Sequence, residues 1–225
     1  MSAPFITLEG PEGAGKSVQA RLLAGFLERE GWNVLLTREP GGTRFGDALR
    51  EILLSSNDYA ILPESEVLLL AAGRAQHVRE RIRPALDSGT AVVCDRFVDS
   101  TLAYQGGGHG IPIDRLMPIQ EFATGGLAPD LRILLDVPVE IGLERRHADP
   151  SSVNRIDLAS RAFHERVRAT FLELAATKPE AWSVIDARDD VASVARKMHT
   201  EVQTRVLKNF PLPRSGAIAS CVHGS

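Results

Sequence analysis

The sequence predicts an α/β fold, a predominantly parallel five-stranded sheet flanked by helices. Two observations predict it. Short, wholly apolar runs alternate with stretches whose apolar residues recur at helical spacing, as expected of strands buried on both faces. Each run also ends in a polar residue, at Glu9, Thr37, Asp95, Asp136 and Asp186. Those ends share the carboxyl edge of the sheet, where ligands bind in such folds.

Residues 4–9 form the first short strand, which glycines end. Helix over 17–30 follows, with Val18, Leu22, Leu23, Phe26 and Leu27 as its buried side, and Gly31 stops it. Residues 32–37 give the second strand, with 34–36 as its core. Pro40, Gly41 and Gly42 form a turn before a helix over about 45–54. Pro63 opens a long helix to about Leu86, striped by Val67, Leu70, Ala71, Val78 and Ile82. The third strand, 91–94, ends at Asp95 and Arg96. A polar, glycine-rich stretch over 99–110 leads to a helix over about 113–124. Strand 131–135, helix 138–147 and a charged loop over 147–155 come next. Helix 157–177, strand 183–186 and helix 191–207 complete the order. Residues 1–207 are expected to form one domain with a lid at about 145–156, and 208–225 a loose tail.

Composition narrows the function. The chain has 225 residues, 44% of them hydrophobic, which suits one sizeable core. A formal net charge of -3 gives no overall positive field for nucleic acid. Cys94 and Cys221 have neither metal-ligand spacing nor a disulfide framework, which fits a reducing cytoplasm. No targeting segment or membrane-length apolar run is recognised.

Residues 10–17 read Gly-Pro-Glu-Gly-Ala-Gly-Lys-Ser and satisfy the G-x-x-x-x-G-K-[ST] pattern between an apolar strand and an amphipathic helix. Glycines let backbone N–H groups converge on phosphate oxygens, and the helix start adds its own unpaired N–H groups. Gly10, Pro11, Glu12, Gly13, Ala14, Gly15, Lys16, Ser17 and Val18 are therefore the candidate ATP-binding residues. Lys16 is expected to bridge the β- and γ-phosphates and Ser17 to ligate Mg²⁺. Asp95 resembles the acidic strand end that supports Mg²⁺, usually through water, in P-loop enzymes. Many buried strands end in Asp without such a role, and that remains the plain alternative.

Three further segments carry more information. They are Thr37-Arg38-Glu39-Pro40-Gly41-Gly42-Thr43, Gly73-Arg74-Ala75-Gln76-His77-Val78, and the run 95–106 that begins Asp95-Arg96-Phe97. Together with the P-loop they resemble, in order and spacing, the signature segments of bacterial thymidylate kinases over residues 5 to 198. The resemblance implies ATP-dependent phosphorylation of dTMP to dTDP for dTTP synthesis, in a homodimer. Phosphoryl transfer between two anions requires cations on both. The matching arginine of the family reaches the acceptor phosphate, which implies that role for Arg96; a surface arginine paired with a carboxylate is the alternative. A phosphate-side role is implied for Arg50, and Glu39 organises arginines or Mg²⁺ or caps its turn. Arg74 matches the residue at the pyrimidine edge, and Gln105 has the donor and acceptor to read other base atoms. Tyr104 matches an aromatic packed near C2′ of the sugar, or is a plain core tyrosine, and Glu12 an acid near the 3′-hydroxyl. Pro40 and Ser100 are counted with the acceptor site. Leu70 stands where the family places a base-stacking phenylalanine, so base preference rests on Leu70 or on Phe97 packing there instead.

The loop from Arg145 and Arg146 to Arg155 reads by itself as a solvated charged loop. The P-loop contains no arginine, so it resembles the subtype whose lid supplies the catalytic positive charge. Arg146 and Arg155 are then the first candidates and Arg145 the next. None of the six histidines needs a chemical role; His77 and His147 read as surface or packing residues and His109 as a loop residue. Another nucleoside monophosphate or deoxynucleoside kinase shares most of these features, and a nucleotide-dependent switch shares the P-loop.

Overall fold

The apolar runs form β1 (Phe5–Glu9), β2 (Val34–Arg38), β3 (Ala91–Asp95), β4 (Leu131–Asp136) and β5 (Trp182–Asp186) of a computed structural model that describes residues 3–55, 60–148 and 155–210. They make one parallel sheet in the order β2-β3-β1-β4-β5. After β1 the chain crosses to β2, returns to β3, and only then passes to β4 on the other side of β1. Such a reversal opens a crevice at the carboxyl end of the strand where it happens. Pairing of Leu8 with Asp95 and of Glu9 with Leu134 brings these ends level. β1 and β3 are wholly buried, whereas β2 lies at an edge and leaves Leu36 exposed.

Alternation along the strands feeds two cores. Ile6, Leu8, Val93, Ile133 and Leu135 pack against Leu23 and Leu27 of α1 (Lys16–Arg29). Phe5, Val92 and Cys94 face the other way, with Val78, Ile82 and Phe97. Leu23 and Leu27 have no exposed surface, so truncating either to alanine costs about 2–5 kcal/mol. The buried face of α1 is rotated from the expected one: Val18 and Leu22 are largely exposed, and Gln19, Ala20 and Ala24 replace them.

Two glycines lead to α2 (Arg44–Leu54), which Thr43 caps by accepting from Gly46 N–H at 2.9 Å. The long helix is α3 (Pro63–His77), a π-helical turn over Val78–Ile82, and α4 (Arg83–Asp87). Pro84 has no N–H to donate and crowds the carbonyl four residues before it, so the helix widens ahead of it. Most of the 99–110 stretch is helical. It is α5 (Val98–Thr101), continued by a π-helical turn over Leu102–Gly108. Its glycines let it lie against α8 (Arg161–Thr177): a Cβ on Gly107 would collide with Thr170, and one on Gly108 with the Phe163 ring. α8 also starts later than expected, because Ser160 caps it while Asp157 accepts a bond from Arg146.

Helix α6 (Ile113–Thr124) packs on α3, and α7 (Val139–His147) ends within the segment expected to be a lid. Helix α9 (Val191–Arg205), capped by Asp190, packs on α1, and a short 3-10 turn over Leu207–Asn209 follows. Most of the expected tail, from 211 onward, and lid residues 149–154 lie outside the described residues.

Candidate active site

The loop after β1 is shaped for an anion. Gly15 precedes α1 in the left-handed region (φ 84), and no side chain caps the helix, so its first N–H groups remain available. Gly13 (φ 69) lies against Gly142 of α7, whose carbonyl a Cβ there would strike. Lys16 is buried and donates to the Pro11 carbonyl at 2.7 Å. Burial and then the nearby Arg96 lower its pKa to about 8, against the opposing pull of Glu12, Asp95 and Glu9.

Ser17 Oγ donates to Asp95 Oδ2 at 2.5 Å, so a hydroxyl and a carboxylate stand side by side beneath the loop. Hard oxygen donors of this kind fit Mg²⁺. No group of three or more His, Cys, Asp or Glu fit to hold a metal occurs among the described residues.

Across the crevice stands Arg96, the one non-glycine residue described in the left-handed region (φ 72). Such a conformation costs on the order of 1–3 kcal/mol and persists where the surroundings hold it. Its neighbours do so: Arg96 N–H donates to Leu8 O, and Phe97 N–H donates to Glu9 Oε1 at 2.9 Å. The guanidinium donates to Gly10 O, Ser100 Oγ, Glu12 Oε1 and the Tyr104 hydroxyl, and Tyr104 in turn donates to Glu12 at 2.9 Å. Burial alone would raise the Glu12 carboxyl; Arg96, Lys16 and Tyr104 outweigh it and hold the pKa at about 2. Glu9, behind this group, is pushed up by burial and by Asp99 although Ser100 donates to it at 2.6 Å.

A slot lined by Leu70, Arg74, Phe97, Thr101 and Gln105 lies between α3 and the helical stretch after β3. Arg74 is fully buried and donates to Glu39, Thr101, Gln120 and the Phe97 carbonyl. A guanidinium has five N–H groups, so one Nη2 hydrogen has no partner among the described residues. Glu39 also accepts from His77 Nδ1 at 3.0 Å, and Thr37 meets the other ring nitrogen at 2.8 Å. His77 is therefore a buried link holding Glu39 and Arg74, beyond the packing residue expected. Phe97 stands edge-on to Phe5 at 5.1 Å beneath the Arg74 guanidinium, while Leu70 lines the slot. Gln105 closes it, with Nε2 bonded to Glu66 and Oε1 unpartnered among the described residues. Arg50 reaches over from α2 and donates to the Pro40 carbonyl at 3.0 Å.

All of this opens on one cavity of about 660 Å³. It brings together the expected residues from Glu12 to Val18 with Glu39, Pro40, Arg50, Leu70, Arg74, Asp95, Arg96, Phe97, Ser100, Tyr104 and Gln105. Gly10 and Pro11 contribute carbonyls to Arg96 and Lys16 from behind it. Arg145 and Arg146 line the cavity; Arg155 does not. Arg155 is held on Glu66 and on the Leu53 carbonyl. Arg145 donates to the carbonyls of Ala187 and Arg188, and Asp189, Asp190 and Val191 complete that end. The sequence singles out nothing in this β5–α9 turn. Asp136 and Asp186 lie at the ligand edge, yet each is spent on an arginine, Arg168 and Arg188.

A phosphate loop on a parallel sheet, a second cationic centre facing it and two arginines at the end of α7 lining the same cavity define a P-loop phosphotransferase. The thymidylate kinase family model matches residues 8–198. A thymidylate kinase of Thermomicrobium roseum is 52% identical over 204 residues, covering 89% of this chain and 96% of the relative. One of Pseudomonas fluorescens is 47% identical over 204 residues, covering 91% and 97%. The crystal structure of the Ehrlichia chaffeensis thymidylate kinase superposes with a TM-score of 0.73 at 32% identity, covering 90% of this chain and 99% of that one. The chain belongs to the thymidylate kinase family.

Proposed function

We propose that this enzyme transfers the γ-phosphoryl group of ATP to dTMP, giving dTDP and ADP in the supply of dTTP. The observation that carries the reading is the joining of two anion sites, the start of α1 with Lys16 and the guanidinium of Arg96, in one cavity that ends in the base slot. An oxygen of the dTMP phosphate attacks the γ-phosphorus in line; the bond from phosphorus to the β-bridging oxygen breaks, and ADP leaves with that electron pair. The attacking oxygen is already ionised near neutral pH, so no strong base is needed.

The donor phosphates lie along residues 10–18, and its base lies beside Arg145 and Val191. Ser17 and Asp95 would hold Mg²⁺, which would supply positive charge to the phosphate groups when bound. Lys16 and Arg146 stabilise the transferring group; Arg146 lines the cavity, and its charge contributes to holding Glu12 down. Arg155 joins them only on leaving Glu66. On the acceptor, Arg96 and Arg50 take the phosphate, Tyr104 and Glu12 face the sugar, and Arg74 and Gln105 meet the base edge against Leu70.

We place the activity in one domain, residues 1–207, with 145–156 as the lid. Leu68 on α3 and Met117 and Phe122 on α6 are exposed apolar side chains on helices that pack together, which supports a homodimer across this face. No described helix is long and apolar enough to cross a membrane, and Cys94 is a free thiol, in keeping with the cytoplasm. The test supplies Mg-ATP and a panel of nucleoside monophosphates and follows ADP and the diphosphate product. Preference for dTMP over UMP, dCMP and dGMP is expected; equal use of purines defeats the reading, as does ATP hydrolysis without an acceptor.

A further inference from the structure

Behind the base slot, Glu66 of α3 is 2% exposed and does not line the cavity. Its Oε2 accepts from Gln105 Nε2 at 2.9 Å, and its Oε1 accepts from Arg155 Nη2. His109 Nε2 stands 3.7 Å from Oε2. An ionised carboxylate accepts and cannot donate. The Gln105 amide is thereby held with its nitrogen turned to Glu66, leaving Oε1 as the free end. That oxygen is buried, without a hydrogen-bond partner among the described residues, on a side chain that lines the cavity. A buried acceptor without a donor is unfavourable, so the slot favours a ligand that brings an N–H to it.

We propose that Glu66 is a positioning residue that sets base choice: by fixing the Gln105 amide it makes the slot select a pyrimidine whose N3 carries hydrogen. Thymine has that hydrogen. Cytosine presents a lone pair at N3 and would set acceptor against acceptor. The inference rests on the thymidylate reading of the cavity. The neutral amide of Glu66→Gln both donates and accepts, so in that variant nothing fixes which way Gln105 turns.

The experiment measures kcat and KM for dTMP and dCMP at saturating Mg-ATP. It compares the wild-type enzyme, Glu66→Gln, Gln105→Ala, the double variant and Arg155→Met, with circular dichroism to check folding. In Glu66→Gln the ratio of kcat/KM for dTMP over dCMP is expected to fall about tenfold or more, mainly through KM for dTMP. In the Gln105→Ala background the same change should alter the ratio by less than about twofold, as two residues acting through one contact do. Arg155→Met should leave the ratio within about twofold, since it touches the other carboxylate oxygen. An unchanged ratio in folded Glu66→Gln overturns the inference. So does an equal loss in Arg155→Met, or a loss that persists without Gln105. If Glu66→Gln does not fold, Glu66→Asp replaces it, and a smaller fall that again requires Gln105 is expected. A wild-type enzyme without preference for dTMP defeats the thymidylate reading together with this inference; a wild-type preference with unaltered variants defeats the inference alone.

Discussion

Arg96 Nη2 lies 2.8 Å from Glu12 Oε1, so the carboxylate inside the phosphate loop and the cation after β3 form a single unit. The pair explains why an acid is tolerated beside two phosphate sites. Arg96→Met removes the cation proposed for the acceptor phosphate, and kcat/KM for dTMP should fall by about 10²–10³-fold, as when one transition-state donor is lost. It also leaves Glu12 without its main partner. Adding Glu12→Gln should therefore recover part of the lost thermal stability, because an orphaned charge costs more than a removed pair. Melting curves of the single and double variants check this, and equal midpoints would count against it.

Lys16 has its pKa lowered to about 8 by burial and by Arg96. Bound phosphates favour the ammonium form and raise that value, so binding selects the protonated enzyme. The contribution is full below pH 8 and is lost as pH rises from 8 towards the higher pKa of the bound state. ATP affinity should fall about tenfold between pH 7 and pH 9. Calorimetry near pH 8 in buffers of different ionisation enthalpy should register proton uptake; binding without uptake would sink the assignment.

The lid arginines differ in position, and their variants should differ too. Arg146 lines the cavity, whereas Arg155 is engaged with Glu66. Arg146→Met should slow single-turnover phosphoryl transfer by about 10²-fold or more with little change in dTMP affinity. Arg155→Met should slow it less. Rapid-quench measurements separate the two, and unchanged rates in both variants would reject a lid contribution.

Gly107 lies against Thr170 and the Arg166 carbonyl. Gly107→Ala should cost about 1–3 kcal/mol through overpacking. Because Tyr104 and Gln105 sit on the same turn, KM for dTMP should rise more than KM for ATP. Calorimetric melting and paired KM values report the two effects.

The donor half of the site was legible because it is local: strand, glycines, Lys16 and Ser17 are contiguous, and backbone geometry does most of the work. The acceptor half is assembled across the fold. Arg74, Arg96, Tyr104 and Gln105, with Glu12 and Glu39, can be named from segments that resemble a known family, but the pairings among them and the part of Glu66 cannot. Glu66 lies 39 positions from Gln105 and Glu12 84 from Arg96, distances that only the crossovers of the sheet close. His77 did leave a signal, three residues after Arg74 on the same helix face. The helical form of 98–108 is not legible in the sequence, for a physical reason. Its glycines serve close helix contact, and composition alone cannot separate that from turn freedom. The rotated face of α1 has a similar cause, since Val18 was apolar for the cavity and not for the core.

The meeting of Gly13 with Gly142 would give the proposed lid a fulcrum. Two bare backbones touch there, one in the phosphate loop and one on α7, with no side chain between them to flex. Arg146 lies four residues beyond that point, a lever arm of about 6 Å along the helix. A tilt of α7 that swings this arginine must therefore turn against the loop that cradles the donor. Grip on the donor and reach over it share one pivot, and a bulkier residue at either glycine would disturb both together.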